Sequence, residues 1–368
     1  MKTTLLIIRW IVGQLFIFSG LVKVNDPLGL SYKMQEFFEV WHWTALNNYT
    51  LPMAFVMNVF EVVAGVAVII GWRMRLFSWL LLLLIVFFTF LTGYALFSGK
   101  IKTCGCFGDC LPLTPAQSFG KDLFLLALIL VLFVMRKKIH SALKPLAAAV
   151  ILLLATAGSA GAQLYVMKHL PFVDCLPYKV GNDILEQMKT PQGAIPDSLS
   201  IMFTYEKNGK QLEFDQNTFP ADFDSTYIFI DRRDKVVKKG NGLQAKIVDF
   251  TLMTLDGLDT TAELLGQPQP YILVFAKDFA DVDVWMDGFR AIVRTAAEKQ
   301  IPVMIVTADA DRATQLFSDI TILKCDATVI KTAARAVPTY FLMQKSTIID
   351  KYSYADKNKV FSRINALK

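Results

Sequence analysis

Histidine is nearly missing from this chain. Only His42, His140 and His169 occur in 368 residues, too far apart in sequence to suggest a histidine metal centre. Cysteine is sparse too: there are five, and no Cys-x-x-Cys pair occurs anywhere. A dithiol centre of the commonest spacing is therefore excluded. Long apolar runs are absent from about residue 170 onward, although 54% of the whole chain is hydrophobic. The apolar residues are concentrated in the first half, so the chain reads as a polytopic membrane region followed by a globular domain. The net charge of +6 is modest, and much of the excess flanks the apolar runs. That placement is a topology signal and gives no sign of a nucleic-acid partner.

What is there begins with five apolar segments, near residues 3–21, 51–72, 76–97, 115–135 and 145–167. Each is long enough to cross a bilayer, the fourth only if the turn before its apolar core is included. Lys2, Arg73 with Arg75, and Arg136 to Lys138 with Lys144 alternate between the segments so that all fall on one side. The positive-inside rule makes that side cytoplasmic. The N-terminus is then expected inside a bacterial inner (cytoplasmic) membrane, with the C-terminal domain in the periplasm. The stretch from Arg136 to Gln163 imitates a signal peptide, but its position deep in the chain argues for a span packed through small residues. Residues 31–43 read as an amphipathic helix, with Met34, Phe37, Phe38 and Trp41 on one face.

The sharpest chemical signal is Cys104-Gly-Cys106-Phe-Gly-Asp-Cys110, a short loop between the third and fourth segments. Gly105 and Gly108 allow it to fold tightly. Thr114-Pro115-Ala116-Gln117 follows as a helix start with a capping box, whose dipole favours thiolate nearby. Cys175 stands just after the fifth segment, on the same side as the loop. The four cysteines Cys104, Cys106, Cys110 and Cys175 are the candidate catalytic residues, and they allow three pairings. A Cys106–Cys110 disulfide with Cys104 or Cys175 as exchanging thiol is the expected arrangement. A structural disulfide, or a zinc or iron–sulfur centre, are the alternatives; the spacing suits neither metal centre, and no metal is expected.

Charges inside the apolar segments are costly and are expected to pair. Arg9 and Glu61 are the expected intramembrane pair. Lys23, Asp26, Lys121 and Asp122 are expected to line one outward pocket with the cysteine loop.

Two resemblances follow from motifs. Phe18-Ser-Gly20-Leu-Val-Lys23, Glu61-Val-Val-Ala-Gly65, Gly71 and Cys104-Gly-Cys106-Phe-Gly108 resemble the DoxX/MauE group of bacterial membrane proteins. The resemblance covers residues 1 to about 138 and implies a four-helix core and an association with thiol redox chemistry. The layout is also similar to that of vitamin K epoxide reductase and bacterial disulfide-generating proteins. That likeness is architectural, and it makes a quinone the candidate cofactor. In the second half, Val248-Asp-Phe250-Thr-Leu-Met-Thr-Leu-Asp256-Gly257 and Val337-Pro338-Thr-Tyr-Phe-Leu342 resemble the thioredoxin fold of the TlpA type. That likeness implies a cis-proline at Pro338. The region after the core strand, residues 277–285, lacks the Cys-x-x-Cys of that group, and Cys325 stands alone in a strand-like stretch.

The expected architecture is thus a membrane α-helical bundle, a four-helix core plus a fifth span, then a small β-rich connector and a soluble α/β thioredoxin-like domain. The boundaries are 1–140, 141–169, 170–246 and 247–368. In the connector, residues 200–214 and 227–239 each read as a hairpin, with turns at Asn208-Gly209 and near Arg233-Asp234. Functionally, the outward cysteine loop is expected to exchange disulfides with a periplasmic protein partner, with a quinone as candidate electron acceptor. The competing reading is a non-catalytic scaffold in the lipid bilayer, whose degenerate thioredoxin-like domain binds an envelope partner.

Overall fold

The computed structural model describes residues 2–101, 105, 107–196, 198–238 and 240–367. Two compact units emerge: residues 1–181 together with 251–368, and the inserted residues 182–250.

The first unit opens with α1 (Lys2–Asn25) and α2 (Pro27–Val40). Asp26 caps α2, accepting from the Gly29 amide at 3.0 Å, and Pro27 takes the first helical position. That cap starts the amphipathic helix earlier than residue 31, since Pro27 has no amide proton to leave unsatisfied there. Then come α3 (Thr50–Ile70), α4 (Met74–Ser98), α5 (Pro115–Met135) and α6 (Pro145–Lys168). Among the described residues, five helices are long and apolar enough to cross a membrane. The capping box at Thr114 and Gln117 that opens α5 is present in full.

Helices α1 and α3 approach closely. A Cβ placed on Gly13 would lie 2.8 Å from the Gly65 carbonyl, and one on Gly65 would lie 2.7 Å from the Gly13 carbonyl. Glycine at both positions is what lets the two backbones touch, the small-residue packing typical of membrane helices. Val12, Phe16, Ala64, Ala67, Val68, Leu81, Ile85, Leu125, Ile129 and Leu132 form the apolar centre of the bundle.

Residues 251–368 carry α8 (Thr261–Gly266), β4 (Pro270–Phe275), α9 (Val282–Glu298), β5 (Val303–Thr307), α10 (Ala310–Leu316) and β6 (Thr321–Lys324). They close with α11 (Ala327–Ala333), β7 (Thr339–Gln344), β8 (Thr347–Ser353) and α12 (Lys357–Ala366). The strands form one mixed sheet in the order β6-β5-β4-β7-β8. β4, β5 and β6 are parallel, while β7 and β8 run against their neighbours. β4 is buried almost end to end, as expected of a strand covered on both faces. Trp285, Phe289 and Ile292 of α9 pack on it with Phe279 and Phe317. The Val337–Pro338 peptide entering β7 is cis.

The inserted unit holds α7 (Ile184–Met188) and a three-stranded antiparallel sheet, β2-β1-β3, made of β1 (Ser198–Lys207), β2 (Lys210–Asp215) and β3 (Ile228–Lys238). Asn208 and Gly209, both at positive φ, turn β1 into β2. The second expected hairpin is not formed. Residues 228–238 are one continuous strand paired along its length with β1, and neither Arg233 nor Asp234 adopts the positive φ that such a tight turn needs. Tyr205, Phe214, Phe219, Phe223 and Tyr227 pack into an aromatic cluster of edge-to-face and tilted ring contacts.

Candidate functional site

Two groups of charges stand out, one inside the bundle and one where residues 251–368 meet it.

Inside the bundle, the Lys23 ammonium binds the Glu61 carboxylate at 2.6 Å, and both are almost fully buried. Ser19 donates to the other Glu61 oxygen at 2.9 Å and accepts from Lys23 at 3.1 Å. Lys23 also lies 4.8 Å from the Phe88 ring centre. Nearby, Asp122 accepts from Thr92 at 3.0 Å and pairs with Lys121 at 2.5 Å. Each buried charge thus has an opposite charge and a further hydrogen bond, the condition under which burial is tolerable. The two pairs line a narrow cavity of about 20 Å³ with Phe16, Phe88 and Phe107. That volume holds roughly one water. Phe107 belongs to the cysteine loop and is buried here, with Lys121 5.1 Å from its ring centre and Phe18 5.5 Å away.

At the second place, a disulfide joins Cys110 to Cys175. Cys110 is exposed. Each cysteine is preceded by an aspartate, and each aspartate is held by a buried cation from residues 251–368. Arg335 reaches Asp109 at 3.0 Å and Lys351 reaches Asp174 at 2.9 Å. Arg335 also binds both oxygens of Asp26 at 2.9 Å, and its remaining nitrogen donates to the Lys331 carbonyl. Burial opposes charge on Arg335, but the carboxylates of Asp26 and Asp109 outweigh it and hold its pKa above the ordinary arginine value. Burial also lowers the pKa of Lys351, and there the pull of Asp174 does not make up the loss. Asn25 exchanges two hydrogen bonds with the backbone of Val173, at 2.8 and 3.0 Å, fixing the segment that leads to Cys175. Tyr32 of α2 lies against this group: Arg335 is 5.5 Å from its ring centre. Burial raises the Tyr32 pKa, with Lys277 and Asp278 among the charges acting on it.

Residues 1–135 match the family model of the methylamine utilisation protein MauE. Residues 199–239 match a family described only as a domain of unknown function. No curated protein and no solved structure matches the chain. The MauE-like part takes in α1 to α5 and the cysteine loop, so the chain's first four spans are similar to that family and the sheet of residues 251–368 lies outside the match.

Within the MauE-like part, the expected Arg9–Glu61 pair is not formed. Arg9 donates to the carbonyls of Val68 at 2.9 Å and Ile69 at 2.5 Å, the free end of α3. Gly71, at φ +74°, closes that helix in the left-handed conformation; its own amide donates to the Val68 carbonyl at 3.1 Å, and Arg9 is a second donor there. Glu61 lies about 10 Å further along α3 at 1.5 Å per residue, within reach of Lys23 instead. The expected pocket of Lys23, Asp26, Lys121 and Asp122 is divided as well. Lys23, Lys121 and Asp122 share the cavity with Glu61, whereas Asp26 caps α2 and turns to Arg335.

Cys110 bonds to Cys175 and not to Cys106. Cys104 and Cys106 lie outside the described residues. Cys325 is buried, and burial pushes its thiol pKa up to about 12. Sequence reasoning did not single out Asp109, Asp174, Arg335 or Lys351. The repeated Asp-Cys doublet was the available signal, and it becomes meaningful only once the two doublets are known to be linked.

Proposed function

We propose that this chain is a thiol–disulfide exchange protein of a bacterial inner membrane, with Cys110–Cys175 as its exchanging bond. The observation that carries the reading is the exposure of Cys110 in a disulfide whose two flanking aspartates are held by Arg335 and Lys351. A partner thiolate attacks Sγ of Cys110, the sulfur–sulfur bond breaks, and Cys175 leaves as a thiolate. A second thiolate on the partner then displaces Cys110. The partner is oxidised by two electrons and the Cys110/Cys175 pair is reduced. A disulfide between Cys104 and Cys106 is the proposed next acceptor, which re-forms Cys110–Cys175 as it is itself reduced, and a quinone in the bilayer is the proposed final acceptor of the two electrons and two protons. The cavity beneath Phe107 has room for about one water, so a quinone ring enters there only if Phe107 withdraws.

Residues 251–368 are proposed to be a thioredoxin-like domain without Cys-x-x-Cys. The sheet order and the antiparallel β7 and β8 support this. Here Arg335, three residues before Pro338, grips Asp109 beside Cys110. The domain then holds its own chain's disulfide in place of an internal one. The positive loops support a cytoplasmic N-terminus, with the disulfide and this domain in the oxidising periplasm.

The test is Cys175→Ser in intact membranes, run on a non-reducing gel. Exchange predicts a mixed disulfide of Cys110 with another protein, collapsed by reductant. The absence of any such band, together with full complementation by a chain lacking all four cysteines, would overturn the reading in favour of a scaffold. The missing Cys-x-x-Cys is the observation favouring that second reading.

A further inference from the structure

We infer that the end of the bundle opposite the cysteine loop carries a site for one anionic phospholipid, its phosphate held between α4 and α5 by Arg75, Arg136 and Lys137. The start of α4 adjoins the turn Arg136–Lys138 that follows α5. Arg136 is fixed in place there. Its guanidinium lies 4.0 Å from the Phe133 ring centre, and its Nη1 donates to the Phe133 carbonyl. The Phe133 ring in turn meets the Trp79 ring edge-on at 4.6 Å. Among the described residues, Nε and Nη2 of Arg136 make no hydrogen bond. Arg75 lies one turn before Trp79 on the same face of α4, and both Arg75 and Lys137 are exposed. Trp79 is 51% exposed, and the exposed Leu76, Leu83, Leu130 and Val134 continue the two helix faces as an apolar wall for acyl chains.

The distribution of charge says which lipid fits. No aspartate or glutamate occurs in residues 1–25, 62–108 or 123–173, the stretches that build this end of the bundle. Among the described residues, Arg73, Arg75, Arg136, Lys137, Lys138 and Lys144 have no carboxylate partner. The other end is different: Lys23 pairs with Glu61, Lys33 with Glu36, and Lys121 with Asp122. A zwitterionic lipid brings a cation of its own, which meets no anion here, whereas an anionic lipid brings none. Phosphate oxygens match the planar fork of an arginine, and each cation near a membrane surface strengthens the hold on an anionic lipid by about fivefold. Positive charge alone would be enough to orient the spans. The bracing of Arg136 on Phe133 and Trp79 goes beyond that need, because a cation already held in place loses less freedom when it binds.

The experiment uses the full chain in detergent, titrated with phosphatidylglycerol or phosphatidylcholine and followed by native mass spectrometry. One phosphatidylglycerol is expected to stay bound at concentrations where phosphatidylcholine does not. Arg75→Gln and Arg136→Gln should each weaken it about fivefold. Arg75 is exposed, so its loss tests the site without disturbing the packing around Phe133. Lys144→Gln removes one charge at the start of α6, which packs on α1 and α3, and should change binding by less than about twofold. Inorganic phosphate at equal concentration should not displace the lipid, since it brings no acyl chains to the wall. Equal retention of the two lipids overturns the inference. So does an effect of Lys144→Gln as large as that of Arg75→Gln, the sign of a diffuse attraction, or displacement by inorganic phosphate, the sign of a site for a soluble anion. These readouts do not depend on the redox activity proposed above.

Discussion

Arg335 binds both carboxylate oxygens of Asp26, a residue 309 positions earlier in the chain, at 2.9 Å each. The pair joins the start of α2 to the turn before Pro338 and is almost sealed from solvent on the arginine side. Arg335→Leu leaves Asp26 and Asp109 without their partner. Breaking one side of a buried pair typically costs about 3–5 kcal/mol. We expect a loss of that order in thermal unfolding, and little recovery in Arg335→Lys, because an ammonium lacks the planar fork that sends Nε to Asp26 and Nη2 to Asp109. Asp26→Asn added to Arg335→Leu should cost much less than it does alone. Strictly additive losses would show that the two residues do not interact.

Inside the bundle the coupled residues are Lys23 and Glu61. Lys23→Met or Glu61→Gln alone leaves one buried charge unpaired, so each should destabilise strongly, while Lys23→Met with Glu61→Gln should be milder than either. Arg9→Leu should be additive with Glu61→Gln, since Arg9 serves the end of α3. A coupling between Arg9 and Glu61 larger than that between Lys23 and Glu61 would contradict the geometry.

The disulfide closes a separation of 65 residues that contains α5 and α6. Cys110→Ser and Cys175→Ser should each lower stability by about 2–4 kcal/mol, and the double variant should be no worse. Equal mobility of the parent chain on reducing and non-reducing gels, with no free-thiol difference, would show that the bond is not formed.

Cys325 should resist alkylation in the folded chain. With its thiol pKa pushed up to about 12 by burial, only about one molecule in ten thousand carries the thiolate at pH 8. The folded state holds this proton more tightly than the unfolded one. The resulting contribution to stability is complete below about pH 8.5, the unfolded thiol value, and is lost as pH rises toward 12. Rapid labelling at pH 8 without denaturant would refute this environment.

The spans and their ends were readable from the sequence because length, apolarity and capping are local: Thr114, Pro115 and Gln117 mark the start of α5 within four residues. The charge partners were not readable. Glu61 has two basic candidates on α1, and only the depth of each along the packed helices, with the carbonyls at the end of α3 as acceptors for Arg9, separates Lys23 from Arg9. Asp26 looked like a membrane-edge charge because its partner Arg335 is remote in sequence. β3 was misread because charged residues in mid-strand imitate a turn, and only its pairing with β1 shows otherwise.

The aspartates at positions 26, 109 and 174 leave the ribosome well before the cations that hold them. Lys351 follows Asp174 by 177 residues. At roughly 5–20 residues per second, that is a wait of about 10–35 seconds. For that interval the finished spans carry carboxylates whose partners do not yet exist, and a chain stopped before Arg335 never acquires them. The three carboxylates of the first half therefore meet their cations only when the C-terminal sheet is complete.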